Sequence, residues 1–325
     1  MEIQIVNKDQ LMVPDENIVT RSNSPFIKAN TKEVSLSHLQ KDCTIPVFSK
    51  DNECTISHQE FIDVTFDCAQ KVFGGQQIMP PEIRVSHIVK GRIPSAIGKP
   101  VKDLLDSEKT IYYERMMFGV ELPSITLDVN GNQLNLVLGG VRAYNQENLY
   151  SKKGMEKFKF FIGFRNMVCC NMCVSSDGYA GDIRSSSVDY LKKQLMFLMG
   201  DYQMQEHLNQ MQSFSKYKLR EHQFAQLVGR CRLYAHLPKK EKEGLIPMLL
   251  NDGQVNAVAK AYYEDENFSQ DQNGDLNLWN FFNLLTGANK SSYIDTFLDR
   301  SVNSYGITQA LYNSLKNKTG LWYLN

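Results

Sequence analysis

The hydrophobic pattern of this chain passes from a period of two to one of about 3.6 at Ser187, and that change limits the fold more than any other feature. Before it, apolar residues alternate: Phe158, Phe160, Ile162 and Phe164 stand against Lys159, Phe161, Gly163 and Arg165, the period of a strand. After it, Val188, Leu191, Leu195, Leu198 and Tyr202 form one stripe, and Phe224, Leu227, Val228, Cys231 and Tyr234 form another, with the spacing of amphipathic helices. Strands followed by helices imply an α+β fold: a mainly antiparallel sheet with packed helices in the N-terminal half and a helical C-terminal half. The expected divisions are an extended arm over 1–33, a mixed α+β sheet region over 34–180, and a helical region over 181–325 packed on the sheet.

Local signals fill in this outline. Ser57 with Glu60 three residues later forms a capping box, and the helix it opens carries Phe61, Val64, Cys68 and Val72 on one face and stops at Gly74. "PPEIRVSHIVKGRIP" (80–94) reads as one strand between prolines. Asn130-Gly131 tolerates positive φ at both central turn positions, so 124–129 and 133–138 pair as a hairpin. Further helices are expected at 252–264, 277–288 and 291–317.

Charge excludes a generic polyanion binder. Lys plus Arg equal Asp plus Glu at 36 each, and residues 1–180 carry 20 basic and 21 acidic groups. A nucleic-acid site must therefore be a local patch. The N-terminus lacks a basic region followed by an apolar run, and no run of 18 apolar residues occurs, so a cytoplasmic protein without a membrane partner is expected. Seven cysteines, an odd number in a chain able to build a large core, imply reduced thiols.

Chemistry-bearing patterns are few. Cys169, Cys170 and Cys173 lack the second cysteine pair or His-x₃₋₅-His that a structural zinc site needs, so they read as core residues, and no metal or cofactor is expected. A nucleophilic Cys170 needs a histidine, and His87 is the candidate; this gives a hydrolase reading, ranked third. The Asp271 loop has its glycine at position 4 and Phe282 at position 12, which fails an EF-hand and suits a loop capping the next helix through Asn277. Phosphate-loop, dinucleotide, nucleophile-elbow and zinc-protease motifs are absent from the sequence.

Two patches suggest nucleic acid. Lys159, Phe161 and Arg165 place an aromatic between two cations on one strand face, an arrangement that stacks bases and holds phosphates, although a covering helix would explain Phe161 equally well. From Lys216 to Lys242, eight basic residues including Arg230 and Arg232 outnumber Glu221, Glu241 and the adjoining Glu243, with a solvated helix as the plainer explanation.

The phrases "TISHQEF", "EIRVSHIVKGRIP", "KTIYYERMMF", "LNLVLGGVRAYNQENLYSKK", "FFIGFRNMVCCNMCVSSDGY" and "LNLWNFFNLLTGANK" together resemble a domain-of-unknown-function family carried by conjugative elements and phages of anaerobic gut bacteria. More distantly, Cys170-Asn171 after an apolar strand, with Trp279, Asn280, Asn283, Leu285 and Thr286, is similar to the phage/plasmid-like protein family of unknown function. That resemblance makes Cys170, Asn171, Trp279, Asn283 and Thr286 a signature, read as structural, and implies a mobile-element setting. The leading functional expectation is a non-enzymatic accessory protein that binds single-stranded nucleic acid or assists DNA processing, using Lys159, Phe161, Arg165, Arg230 and Arg232. The alternative is a protein-interaction module with a host protein as partner, such as an inhibitor of a host defence system.

Overall fold

The change of period at Ser187 is carried directly into the architecture. The computed structural model describes residues 24–43, 56–146 and 155–325. In chain order its elements are β1 (Lys32–Val34), α1 (Leu36–Asp42), α2 (His58–Val72), β2 (Glu82–Val85), β3 (Ile88–Arg92), β4 (Lys109–Tyr113), β5 (Arg115–Val129), β6 (Asn132–Ala143), β7 (Glu156–Asn166), β8 (Met172–Cys173) and β9 (Tyr179–Ser185). There follow α3 (Val188–Asp201), α4 (Met204–Phe214), β10 (Lys218–Leu219), α5 (Glu221–Tyr234), α6 (Lys239–Lys242), α7 (Asp252–Glu264), β11 (Leu276–Asn277), α8 (Leu278–Asn289) and α9 (Ile294–Asn317). The fold is α+β, and among the described residues the two strands after Ser187 are two residues each.

The main sheet runs β1-β2-β5-β6-β7, with β8 and β9 both pairing to β7, and every pairing is antiparallel. Asn130 and Gly131 adopt φ of 54° and 77°, so the expected hairpin forms, extended to the full lengths of β5 and β6 with a register shift between Leu122 and Thr126. The predicted capping box is present: the Ser57 hydroxyl accepts from Glu60 N, and the Glu60 carboxylate accepts from Ser57 N at 2.7 Å.

Both faces of the sheet are buried, each by a different part of the chain. On one, Phe158, Phe160, Ile162 and Phe164 join the large core with α2 and the later helices. Phe61 packs edge-on to Phe118 and Phe158 at 5.2 and 4.9 Å, directly over Gly140, where a Cβ would collide with its ring. The other face carries Met117, Val137, Val141, Phe161 and Met172, covered by Ile294, Phe297 and Leu298 of α9 and by Phe26 and Ile27.

One strand expectation is corrected here, and the inner end of the expected arm is packed against the fold. Residues 1–23 of the expected arm lie outside the described residues, but Phe26 and Ile27 are fully buried, and Lys28 N donates to Lys290 O at 2.8 Å. This end of the stretch is therefore part of the second core. The strand expected over 80–94 is two strands in two sheets, because Ser86 leaves the ladder to bond Arg115 through N to O at 3.0 Å and accepts from Arg115 N at 3.1 Å on its hydroxyl. Among the described residues β3 then pairs only with β4, in register from Ile88↔Tyr113 to Arg92↔Lys109. Among the described residues no helix is long and apolar enough to cross a membrane.

Candidate functional site

The cysteine-rich turn after β7 is a joint between sheet and helix. Cys170 takes a left-handed φ of 58°, its N donates to Asn166 O at 2.7 Å, and the turn delivers Asn171 to the underside of α8. There Asn171 Nδ2 donates to Asn283 O at 3.0 Å, Asn283 Nδ2 to Trp279 O at 3.0 Å, and Asn166 Nδ2 to Asn283 Oδ1 at 3.2 Å. Trp279 Nε1 donates to Asn132 Oδ1 at 2.9 Å, and the Thr286 hydroxyl donates to Phe282 O at 3.0 Å. All five signature residues are buried. Burial pushes the Cys169 thiol up to about 11 and holds Cys173 well above the usual thiol range, so both stay protonated at neutral pH. Cys170 is 1% exposed under this joint while His87 lies exposed at the corner after β2, so the two residues of the hydrolase reading face different surroundings.

The proposed base-stacking face is closed. Phe161 has no exposed surface. Lys159 Nζ donates to Asp295 O at 2.7 Å and to Asp299 Oδ2 at 2.5 Å, and the Tyr179 hydroxyl completes the latch on Asp299 Oδ1 at 2.6 Å. Arg165 is paired with Glu82 at 2.7 Å and lies 3.8 Å from Glu121. The expectation that these three residues form an open platform is therefore corrected: α9 seals the aromatic, and carboxylates on neighbouring elements take the cations.

The second basic patch is distributed among separate partners. Arg232 makes two bonds to Asp252, at 2.6 and 3.1 Å. Arg230 lies 4.8 Å over the Trp322 ring and donates to Asn325 O. Lys218 pairs with Asp271 at 2.6 Å. The Asp271 loop itself is closed by its own backbone, with Asn273 N and Asp275 N donating to Asp271 Oδ1, and Asn277 caps α8 as expected.

What the structure does expose is the hairpin of residues 88–113. Its two strands are joined by 93–108, which folds on itself: Lys99 binds Glu108 at 2.8 Å, Lys109 binds Asp106 at 2.8 Å, and Arg92 donates to Ala96 O and Lys99 O. These polar bonds order the loop around buried Ala96, while three of its large aliphatics face outwards. Ile97, Val101 and Leu105 are 65%, 71% and 62% exposed, with Ile88 at 43%. Scattered exposed apolar residues are ordinary, but three in nine positions on one ordered loop form a group. Sequence reasoning missed them because their i, i+4, i+8 spacing mimics one face of a helix, in a stretch where Pro94, Gly98 and Pro100 forbid one; their signal was aliphatics inside a Pro- and Gly-punctuated stretch, where none is needed.

Comparison with family models matches residues 7–324 to the family described as "Domain of unknown function, B. Theta Gene description (DUF3871)", and the chain belongs to that family. Comparisons with curated proteins and with solved structures find no match.

Proposed function

We propose that this member of an uncharacterised family is a protein-interaction module that binds its partner through the 88–113 hairpin. The observation that carries the reading is the group Ile97, Val101 and Leu105, each more than 60% exposed on a loop held in shape by its own ion pairs. A preordered loop loses little conformational entropy on docking, and burying three aliphatics supplies the main attraction. Residues 88–113 carry five basic and three acidic groups, net two positive, so the partner that fits is a protein surface with an apolar pocket rimmed by carboxylates. The reading extends to the cytoplasm of a bacterium and to a mobile-element setting, as the resemblance of the sequence phrases implies, and a host defence protein is a partner of that kind.

The test is cross-linking from a photoreactive residue at position 101 in the source bacterium, followed by purification of the captured protein and titration against it. Wild type should bind, and Val101→Asp combined with Leu105→Asp should weaken binding by more than about 30-fold at an unchanged melting temperature. Equal affinity of variant and wild type, or a wild type that captures no protein, overturns the reading. A salt-dependent titration with single-stranded DNA runs alongside: tight, strongly salt-dependent binding that survives the double variant would return the nucleic-acid reading in its place.

A further inference from the structure

Beside the base of this hairpin lies a second cluster that the proposed interaction does not use. α1 is a short helix capped by Ser35, and it brings His38 and Asp42 together at i and i+4. His38 Nδ1 and Asp42 Oδ2 are 2.8 Å apart, which fixes the tautomer: Nδ1–H donates to the carboxylate and Nε2 carries the lone pair. Cys43 ends the helix in an extended conformation and bridges to Ile111 of β4, placing Sγ 3.8 Å from His38 Nε2. Tyr113, buried on β4, brings its hydroxyl to 2.9 Å from the same nitrogen. Next to Cys43 runs a small groove lined by Leu39, Ser57, Gln59, Tyr112, Tyr113 and Tyr144.

We infer that Cys43, His38 and Asp42 form a nucleophile, base and orienting carboxylate that accept a small activated acyl group from an ester or thioester. The geometric order is the one acyl transfer requires: a thiol within reach of a base, and the base held by a third group. Burial, and after it the neighbouring Asp42, pushes the Cys43 thiol up to about 11, so the resting group is a thiol and its proton must leave as the attack proceeds.

In the acylation step Sγ bonds to the carbonyl carbon and the thiol proton passes to His38 Nε2. The bond from that carbon to the leaving oxygen or sulfur breaks, and the leaving group takes the proton from Nε2. Tyr113 serves both states of the ring. At rest its O–H donates to the single lone pair of neutral Nε2; for the transfer that hydroxyl proton turns away, the thiol proton takes its place on the nitrogen, and Nε2–H then donates to the Tyr113 oxygen. Asp42 stabilises the imidazolium. Water then attacks the thioester carbonyl, giving its proton to Nε2; the carboxylic acid departs as Sγ recovers a proton from the ring. The small groove limits the acyl group to a short one, and its tyrosine rings favour an apolar leaving group.

The experiment uses the full chain, reduced with a phosphine, and p-nitrophenyl acetate as the probe. The expected result is a burst of about one p-nitrophenolate per chain with the acetyl group on Cys43 by peptide mass spectrometry. Cys43→Ser should abolish the burst, and His38→Gln should slow acetylation about 100-fold with an unchanged melting temperature. Should His38→Gln unfold, acetyl groups would spread to buried Cys68 and Cys173, and Asp42→Asn, which keeps the imidazole but frees its orientation, becomes the deciding variant with an expected loss of about tenfold. Acetylation of Cys43 at the wild-type rate in the folded His or Asp variant, or a first acetyl group on any other residue, overturns the inference.

Discussion

The joint between β7 and α8 makes an unequal pair of predictions for its two asparagines. Asn283→Ala removes a side chain that donates to Trp279 O at 3.0 Å and accepts from Asn166 Nδ2 at 3.2 Å and, weakly, from the Cys169 thiol at 3.8 Å, at a site 1% exposed. The two amide bonds at about 0.5–1.5 kcal/mol each, the thiol adding little, plus about 1 kcal/mol for the void left by the amide, give a loss of about 2–4 kcal/mol. Asn171→Ala removes one bond, from Nδ2 to Asn283 O, and also deletes Oδ1, a buried acceptor without a partner among the described residues. Relief of that desolvated oxygen offsets part of the loss, leaving about 0.5–1.5 kcal/mol. Because the Asn171 bond ends on the main chain of residue 283, it survives Asn283→Ala, so the double variant should be additive to within about 0.5 kcal/mol. Equilibrium urea denaturation of the four proteins at neutral pH measures all three quantities. A cost for Asn171→Ala equal to or above that of Asn283→Ala, or a coupling above about 1 kcal/mol, would refute the reasoning.

Two further outcomes are expected. Phe161→Ala should lower stability by about 3–5 kcal/mol in the same assay, as an emptied core position does, and a variant as stable as wild type would show the ring to be uncovered in solution. His207 is buried among Phe164, Tyr202 and Tyr305, and that burial lowers its pKa from the usual 6.5 to about 4. Its folded form thus favours the neutral ring, so its contribution is fully present above about pH 6.5 and is lost as pH falls towards 4, up to about 3 kcal/mol. His207→Gln should flatten that part of the stability profile, and an unchanged slope would exclude His207 as its source.

Legibility in the sequence followed the range of the interaction. The Ser57 and Glu60 box, the Asn130-Gly131 turn and the Asn277 cap each depend on residues within four positions, and all three formed as read. The break between β2 and β3 depends on Ser86 meeting Arg115, 29 residues away, and two bonds that nothing local announces split one apparent strand into two sheets. The face of Lys159 and Phe161 looked open because period two describes only what lies within the strand; its cover, Phe297 and Asp299, comes from about 140 residues later. Of the α1 cluster, the i, i+4 pair of His38 and Asp42 was visible in the letters, whereas Tyr113 lies 75 residues on and reaches His38 only through the β4 pairing.

The distribution of partners is what favours the proposed docking at the periphery over a ligand on the sheet. Around the sheet and the helical half, Lys159, Arg165, Lys218 and Arg232 each already hold a carboxylate at 2.5–2.7 Å. A phosphate arriving there would exchange one anion for another, and at Lys159 and Arg165 it would also have to reach side chains that α9 and β2 enclose, so the exchange yields little net attraction. On the hairpin the position is reversed. Lys90 and Lys102 have no carboxylate partner among the described residues, and Ile97, Val101 and Leu105 stand mostly in water. An acidic, apolar partner of the proposed kind would therefore gain new ion pairs and buried area together without breaking a contact the fold depends on. Such binding should lose little affinity with salt compared with a polyanion, since its main attraction is the aliphatic area and only its encounter rate is electrostatic.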